Sequence, residues 1–203
     1  MKNEIINYLD SIIPNPKCEL NYNKDYELLI AVVLSSQCTD KRVNMVTKKL
    51  FKEYDLKGLA NANTKDIEKI LYELGSYHKK AEYLISIANR LLSDYNGKVP
   101  NDSKYLESLP GVGHKTSSVV LAELFNEPTI AVDTHVQRVS KRLYIADEKD
   151  DVKIIERKIK RMFSKDEYNR VNHQLVLFGR YYCKAIKPLC DNCPLKCRNK
   201  KSR

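Results

Sequence analysis

Apolar residues recur at helical spacing along nearly the whole chain. Ile5, Ile6, Leu9, Ile12 and Ile13 form a first stripe, which Pro14 and Pro16 end. Tyr26, Leu29, Ile30, Val33 and Leu34 follow at i, i+3, i+4, i+7 and i+8. The run Leu28 to Leu34 alone would also suit a buried strand, but the longer pattern favours helix. Ile67, Ile70, Leu71 and Leu74 come after Asn63-Thr64, which can cap, and lead to Gly75, placed as a C-cap glycine. Ala81, Leu84, Ile85, Ala88, Leu91 and Leu92 form the next stripe, ended by Asn96-Gly97 and Pro100. Three more follow: Val136, Val139 and Leu143; Val152, Ile155, Ile159, Met162 and Phe163; Val171, Leu175, Phe178 and Tyr182. No stretch alternates with period two, and there is no internal repeat. The pattern predicts an all-α protein of about ten helices joined by short loops.

Composition narrows the class. The chain has 203 residues, 42% hydrophobic and 31% charged, enough for a core and for one or two domains. Its longest apolar run, Leu28 to Leu34, is far below the ~20 residues of a membrane span. The charged start MKNEIINYLD offers no signal segment, so a cytoplasmic protein is expected. The 36 basic and 26 acidic residues leave a net charge of +10. That excess favours a polyanion as partner, nucleic acid ahead of an anionic membrane surface, with plain solubility as the alternative. The stretch Lys196 to Arg203 has five basic residues and no acid, and reads as a solvated end.

Three places carry candidate chemistry. The segment Leu109-Pro110-Gly111-Val112-Gly113-His114-Lys115-Thr116 joins two helical patterns. Two glycines around one apolar residue at a helix start expose N–H groups able to hold a DNA phosphate; an ordinary tight turn is the alternative. Lys115 falls in the first turn of the next helix, where the dipole works against a cation by about 0.3–1 kcal/mol. An amine more readily neutral there, beside a bound backbone, is what Schiff-base attack on a sugar C1′ requires.

Asp133 follows Ile130-Ala131-Val132 and precedes a buried-face pattern, so it is a natural N-cap. A carboxylate held ionised by N–H donors could also stabilise positive charge on a sugar ring and move protons for Lys115. Finally, Cys183, Cys190, Cys193 and Cys197 are spaced C-x6-C-x2-C-x3-C. Four thiolates so close suit zinc or a [4Fe–4S] cluster. One uneven run with Pro188 and Pro194 beside it leans toward iron–sulfur. Cys18 and Cys38 are expected to pack as small apolar residues.

These features together resemble the endonuclease III family of DNA glycosylases over essentially the whole chain. The quoted pieces are Leu34-Ser35-Ser36-Gln37-Cys38-Thr39-Asp40, LPGVGHKT, IAVDTHVQRV, and the Cys run after Gly179-Arg180-Tyr181. The resemblance implies a helix–hairpin–helix glycosylase fold of two helical domains with a cleft between them. One is the central block, 18–127; the other joins 1–17 to 128–203 and carries a [4Fe–4S] cluster on Cys183, Cys190, Cys193 and Cys197. It implies a monomeric bacterial, nucleoid-associated enzyme acting on double-stranded DNA with a damaged base or abasic site. Such an enzyme flips an oxidised pyrimidine, excises it through Lys115 with Asp133 as the essential carboxylate, and nicks the strand by β-elimination. Gln37 matches the residue that fills the gap. Gly111, Val112, Gly113, His114 and Lys184 are the further DNA-contact candidates.

There are two departures. The family pattern Gly-Leu-x-x-x-Lys-Ala is here Gly75-Ser76-Tyr77-His78-Lys79-Lys80-Ala81, so Tyr77 replaces an apolar wedge as the stacking candidate. The last cysteine interval is x3 where x5 is usual. Lys184, Lys187, Lys196 and Arg198 loosely match a basic loop that meets phosphates. The competing reading is a non-catalytic duplex-binding protein with a structural metal site. A soluble electron carrier would leave the hairpin and the charge unexplained.

Overall fold

The computed structural model describes residues 1–198, and every regular element among them is helical. The helices are α1 (Lys2–Ile12), α2 (Asp25–Leu34), α3 (Asp40–Glu53), α4 (Leu56–Ala60), α5 (Thr64–Leu71) and α6 (Tyr77–Tyr95). Then come α7 (Ser103–Ser108), α8 (His114–Phe125), α9 (Thr134–Arg142), α10 (Val152–Met162) and α11 (Tyr168–Tyr181), with a single 3-10 turn at Lys165–Glu167. Residues from Asn199 onward lie outside the described set, and with them most of the basic end. The chain divides into two compact units. Glu19–Phe125 forms one, and Met1–Cys18 with the residues from Asn126 onward forms the other.

In the central unit, α2 packs against α3, α6 and α8. The sequence predicts a one-sided apolar stripe for α2. In the structure every residue from Tyr26 to Leu34 is buried, because neighbours cover all its faces. Glu27, also buried, spends its carboxylate on the Asn23 and Lys24 N–H groups at 2.7 and 3.3 Å, closing the start of α2. The helix after Asn63 begins as predicted, with the Asn63 side chain accepting from Lys65 N–H. Its end differs. α5 stops at Leu71, the Leu74 N–H bonds Leu71 O at 2.8 Å, and the left-handed backbone falls on Ser76 (φ 57°) rather than on Gly75. A tight turn has replaced the glycine cap. At the end of α6 the expectation holds: Asn96 (φ 51°) and Gly97 (φ 81°) both turn left-handed, and Gly97 N–H bonds Leu91 O.

The other unit is built on α1, α9, α10 and α11. Ile5, Leu9, Val136, Val139, Ile155, Ile159, Val171, Leu175 and Phe178 form one apolar cluster. These are the predicted stripe positions, each worth about 1.5–3 kcal/mol for a fully buried large side chain. Tyr8 and Tyr182 flank Phe178, edge-on at 6.1 Å and stacked at 5.9 Å. Cys18 and Cys38 are only half-buried, so they are not the core residues their chemistry suggested.

Glu167 ties the start of α1 to the start of α11. Lys2 Nζ donates to its carboxylate at 2.8 Å, as does Ser164 N–H. The Lys2 bond first, and the Ser164 N–H next, pull the Glu167 carboxyl down to about 2. Its contribution is therefore complete above the ordinary value of 4.5 and is lost as pH falls from there towards 2. Glu167→Gln should cost about 1–2 kcal/mol at neutral pH and flatten urea-measured stability across that acid window.

Candidate active site

The hairpin between α7 and α8 is fastened inward. Leu109 and Val112 are buried, and Val112 N–H bonds Leu109 O at 3.2 Å. Val112 is thus the anchor of the turn: its side chain faces the core and its N–H is spent inside the hairpin. Gly111 has φ 75°, and a Cβ there would stand 2.5 Å from Tyr83 Cδ2, so both conformation and space require glycine. A Cβ on Gly113 would meet nothing within 4 Å. What Gly113 withholds is a capping group. Its carbonyl accepts from Ser117 N–H at 3.0 Å, which makes it the N-cap of α8, yet it has no side chain to bond the first-turn N–H groups. The positive end of the α8 dipole therefore meets no side chain from its own N-cap, a setting in which an anion is favoured.

Lys115 lies on that first turn. It is exposed, and no described residue hydrogen-bonds or ion-pairs its ammonium. His114 beside it has Nδ1 at 3.1 Å from Glu107 Oε1, on the exposed surface. Gln37, in the same unit, caps the turn between α2 and α3. It is exposed and left-handed, with φ 59°. Ser76 is exposed too, while Tyr77 is half-buried, 5.3 Å from the ring of Tyr72 and 4.0 Å from that of His78. Tyr72 is 70% exposed. Nothing in the sequence singled it out, although a tyrosine three residues before Gly75, the turn glycine, was the available signal.

Asp133 lies in the other unit. Its Oδ1 accepts from both His135 N–H and Val136 N–H at 2.8 Å, the predicted N-cap of α9, and no described group bonds Oδ2. The strand-like lead-in is held by α11: Thr129 N–H donates to Asn169 Oδ1 at 3.2 Å and Ala131 N–H to Asn172 Oδ1 at 3.1 Å. These two asparagines were not recognisable as partners from sequence, where they are merely polar positions in a stripe. Burial, above all, lowers the His135 pKa, which keeps the ring beside Asp133 neutral near pH 7.

Cys183, Cys190, Cys193 and Cys197 are free thiols lining one pocket, walled by Leu143, Phe178, Tyr182, Pro188 and Leu189. Among the described residues no three His, Cys, Asp or Glu side chains converge as a site for one metal ion. Four soft donors around one apolar pocket are the donor chemistry that a [4Fe–4S] cubane or a tetrahedral zinc would require. Arg142 donates to Cys183 Sγ at 3.4 Å and to Lys184 O at 2.7 Å, bracing the loop that begins at Cys183. Lys184, Lys187 and Lys196 are exposed. Arg198 is not available in the same way. It bonds Lys141 O at 2.8 Å, pairs with Asp147 and Glu148, and lies 4.6 Å over the Tyr144 ring.

The family profile described as HhH-GPD superfamily base excision DNA repair protein matches residues 30–165, from α2 through α10. The endonuclease III of Bacillus subtilis (strain 168) is 42% identical over 188 residues, covering 92% of this chain and 86% of the relative. The chain belongs to the endonuclease III family. Two solved endonuclease III structures match it, one in a non-covalent DNA complex and one in a trapped covalent DNA intermediate with an estranged adenine. Each gives a TM-score of 0.93 at 41% identity, covering 98% of this chain and 95% and 96% of theirs. Within this endonuclease III chain, the hairpin, Lys115, Gln37 and Tyr77 lie in the central unit. Asp133, the four cysteines and Lys184 lie in the other.

The two hairpin glycines make opposite predictions. Gly111→Ala should lose about 1–3 kcal/mol of stability and weaken duplex binding. Gly113→Ala should unfold within about 0.5 kcal/mol of the parent. Urea denaturation of both variants checks the contrast.

Proposed function

We propose that this endonuclease III family chain is a bifunctional base-excision enzyme that removes oxidised pyrimidines from duplex DNA and cleaves the strand at the resulting abasic site. The hairpin would grip a phosphate through the α8 N–H groups while the damaged nucleotide leaves the stack, at a cost of a few kcal/mol that is smallest for damaged bases. Gln37 would occupy the space vacated, and Tyr77 would stack beside it in place of the wedge that Ser76 lacks. Phosphates would also meet His114 and Lys184.

Lys115 Nζ, as the neutral amine, would attack C1′. The N-glycosidic bond breaks and the base departs with the electron pair, taking up a proton. Opening of the sugar ring at O4′ leaves an iminium between Nζ and C1′. Loss of a C2′ proton then expels the 3′ phosphate, and water returns the amine. Asp133 suits the carboxylate role because Oδ1 is anchored by two N–H donors while Oδ2 is left to stabilise the positive ring or carry a proton. The observation that carries this reading is Lys115, an exposed, unpaired amine on the first turn of the helix that follows the glycine hairpin. A protein that only bound DNA could set the same amine against a phosphate, and borohydride trapping separates the two uses. The reading also takes the enzyme to act as a monomer at the bacterial nucleoid. No helix among the described residues is long and apolar enough to cross a membrane.

A [4Fe–4S] cluster would be held by Cys183, Cys190, Cys193 and Cys197, with Arg142 beside the first. When bound it supplies a rigid electrostatic brace for the loop that presents Lys184. Anaerobic purification should give about four irons and four sulfides per chain, against a single zinc and no sulfide for the alternative ligand.

Borohydride reduction during reaction with a thymine-glycol duplex should trap a covalent protein–DNA adduct, and Lys115→Gln should form none. Persistence of the adduct in that variant ends the proposal. Asp133→Asn keeps a good N-cap, so its unfolding should change little while excision slows by about 10²–10⁴-fold.

A further inference from the structure

Lys80, on the first turn of α6, is 5% exposed, and no step above uses it. Its Nζ donates to Leu34 O at 3.0 Å, to Ser36 O at 2.9 Å and to Cys38 Sγ at 3.5 Å. An ammonium has three protons, and all three are taken. Every acceptor lies in the turn that carries Gln37, and two of them, Ser36 and Cys38, are its immediate neighbours.

That turn needs holding. Gln37 has φ 59°, which costs a non-glycine residue about 1–2 kcal/mol. The backbone contributes Cys38 N–H to Ser35 O at 3.1 Å and a long Ser36 N–H to Val33 O at 3.4 Å. Ser35 and Ser36 N–H groups serve the carbonyls of Ala31, Val32 and Val33, Lys80 serves that of Leu34, and a cation at a helix C-terminus is favourable. One buried side chain therefore satisfies the end of α2 and pins the left-handed residue that follows it. Lys80 is itself fixed at the root of α6, where its N–H bonds Ser76 O at 3.1 Å. The Gln37 turn is thereby tied to the loop that carries Ser76 and Tyr77.

We infer that Lys80 is a positioning residue: buried, with its three protons spent on Leu34, Ser36 and Cys38, it sets the Gln37 turn against the α6 loop so that Gln37 is preorganised for the vacated nucleotide space. The inference rests on the gap-filling reading of Gln37 given above. An unpinned turn would have to order itself on each encounter, and the loss would appear only where a nucleotide is missing from the stack.

The test is a double-substitution cycle on the full-length protein. Its readout is the ratio of affinities for a duplex containing a tetrahydrofuran abasic-site analogue and for the same duplex undamaged. Gln37→Ala and Lys80→Met should each lower that ratio about three- to tenfold. Combined, they should lower it no further than the worse single variant, because both remove one function. Lys80→Gln, whose amide still donates to two carbonyls, should recover part of the loss, and it takes the place of Lys80→Met in the cycle if that variant does not fold. A wild-type ratio in a folded Lys80 variant, or losses that multiply in the double variant, overturns the role of Lys80 and leaves Gln37 as it was. An unchanged ratio in Gln37→Ala removes the gap-filling reading, and this inference with it.

Discussion

Gly113 gives its carbonyl to Ser117 N–H and offers no side chain to the N–H groups beside it. Most other helix starts in the molecule are closed. Thr39, Asp55, Asn63, Asp102, Asp133 and Asp151 each accept from the first turn of their own helix. The contrast makes α8 a place where a helix start without a capping side chain at its N-cap and a positive dipole coincide with a lysine that has no partner. Gly111 then fixes where that helix start points, since its left-handed backbone packs on Tyr83 with no room for a side chain. The opposite arrangement holds at Asp133, where one carboxylate oxygen satisfies two first-turn donors and the other is left without a described partner.

A second constraint comes from α2. A helix buried on every face cannot adjust its position without disturbing α3, α6 and α8 together. Its C-terminal turn is consequently a stiff place from which to project a side chain, and Gln37 is projected from it. A polar contact residue on a rigid support is positioned more closely than one on a free loop.

Much of the local structure is legible in the sequence because it depends on near neighbours. Asn63, Asp133 and Asn96-Gly97 act within a few residues of themselves, and the stripes of α1, α9, α10 and α11 carry their own phase. What was not legible depends on contacts far along the chain. A solid apolar run such as Leu28 to Leu34 has no phase to reveal how many neighbours will cover it. Lys80 is one of 36 Lys and Arg residues, and only folding shows that it is buried at the end of α2. Arg198 looked like a phosphate contact because charge is visible in a sequence, whereas its commitment to Lys141, Asp147, Glu148 and Tyr144 is not. At Gly75 the glycine was the obvious turn signal, yet the left-handed angle passed to Ser76 once Leu74 closed the turn before it.

The discontinuous unit has a consequence for synthesis. α1 leaves the ribosome well before its cover: its apolar face packs with α11, which begins at Tyr168. At about 5–20 residues per second, Ile5 and Leu9 wait roughly 10–30 s for their partner, while the block from Glu19 to Phe125 is already complete behind them. A nascent chain stalled in that interval would expose a short greasy helix, a natural handle for a chaperone.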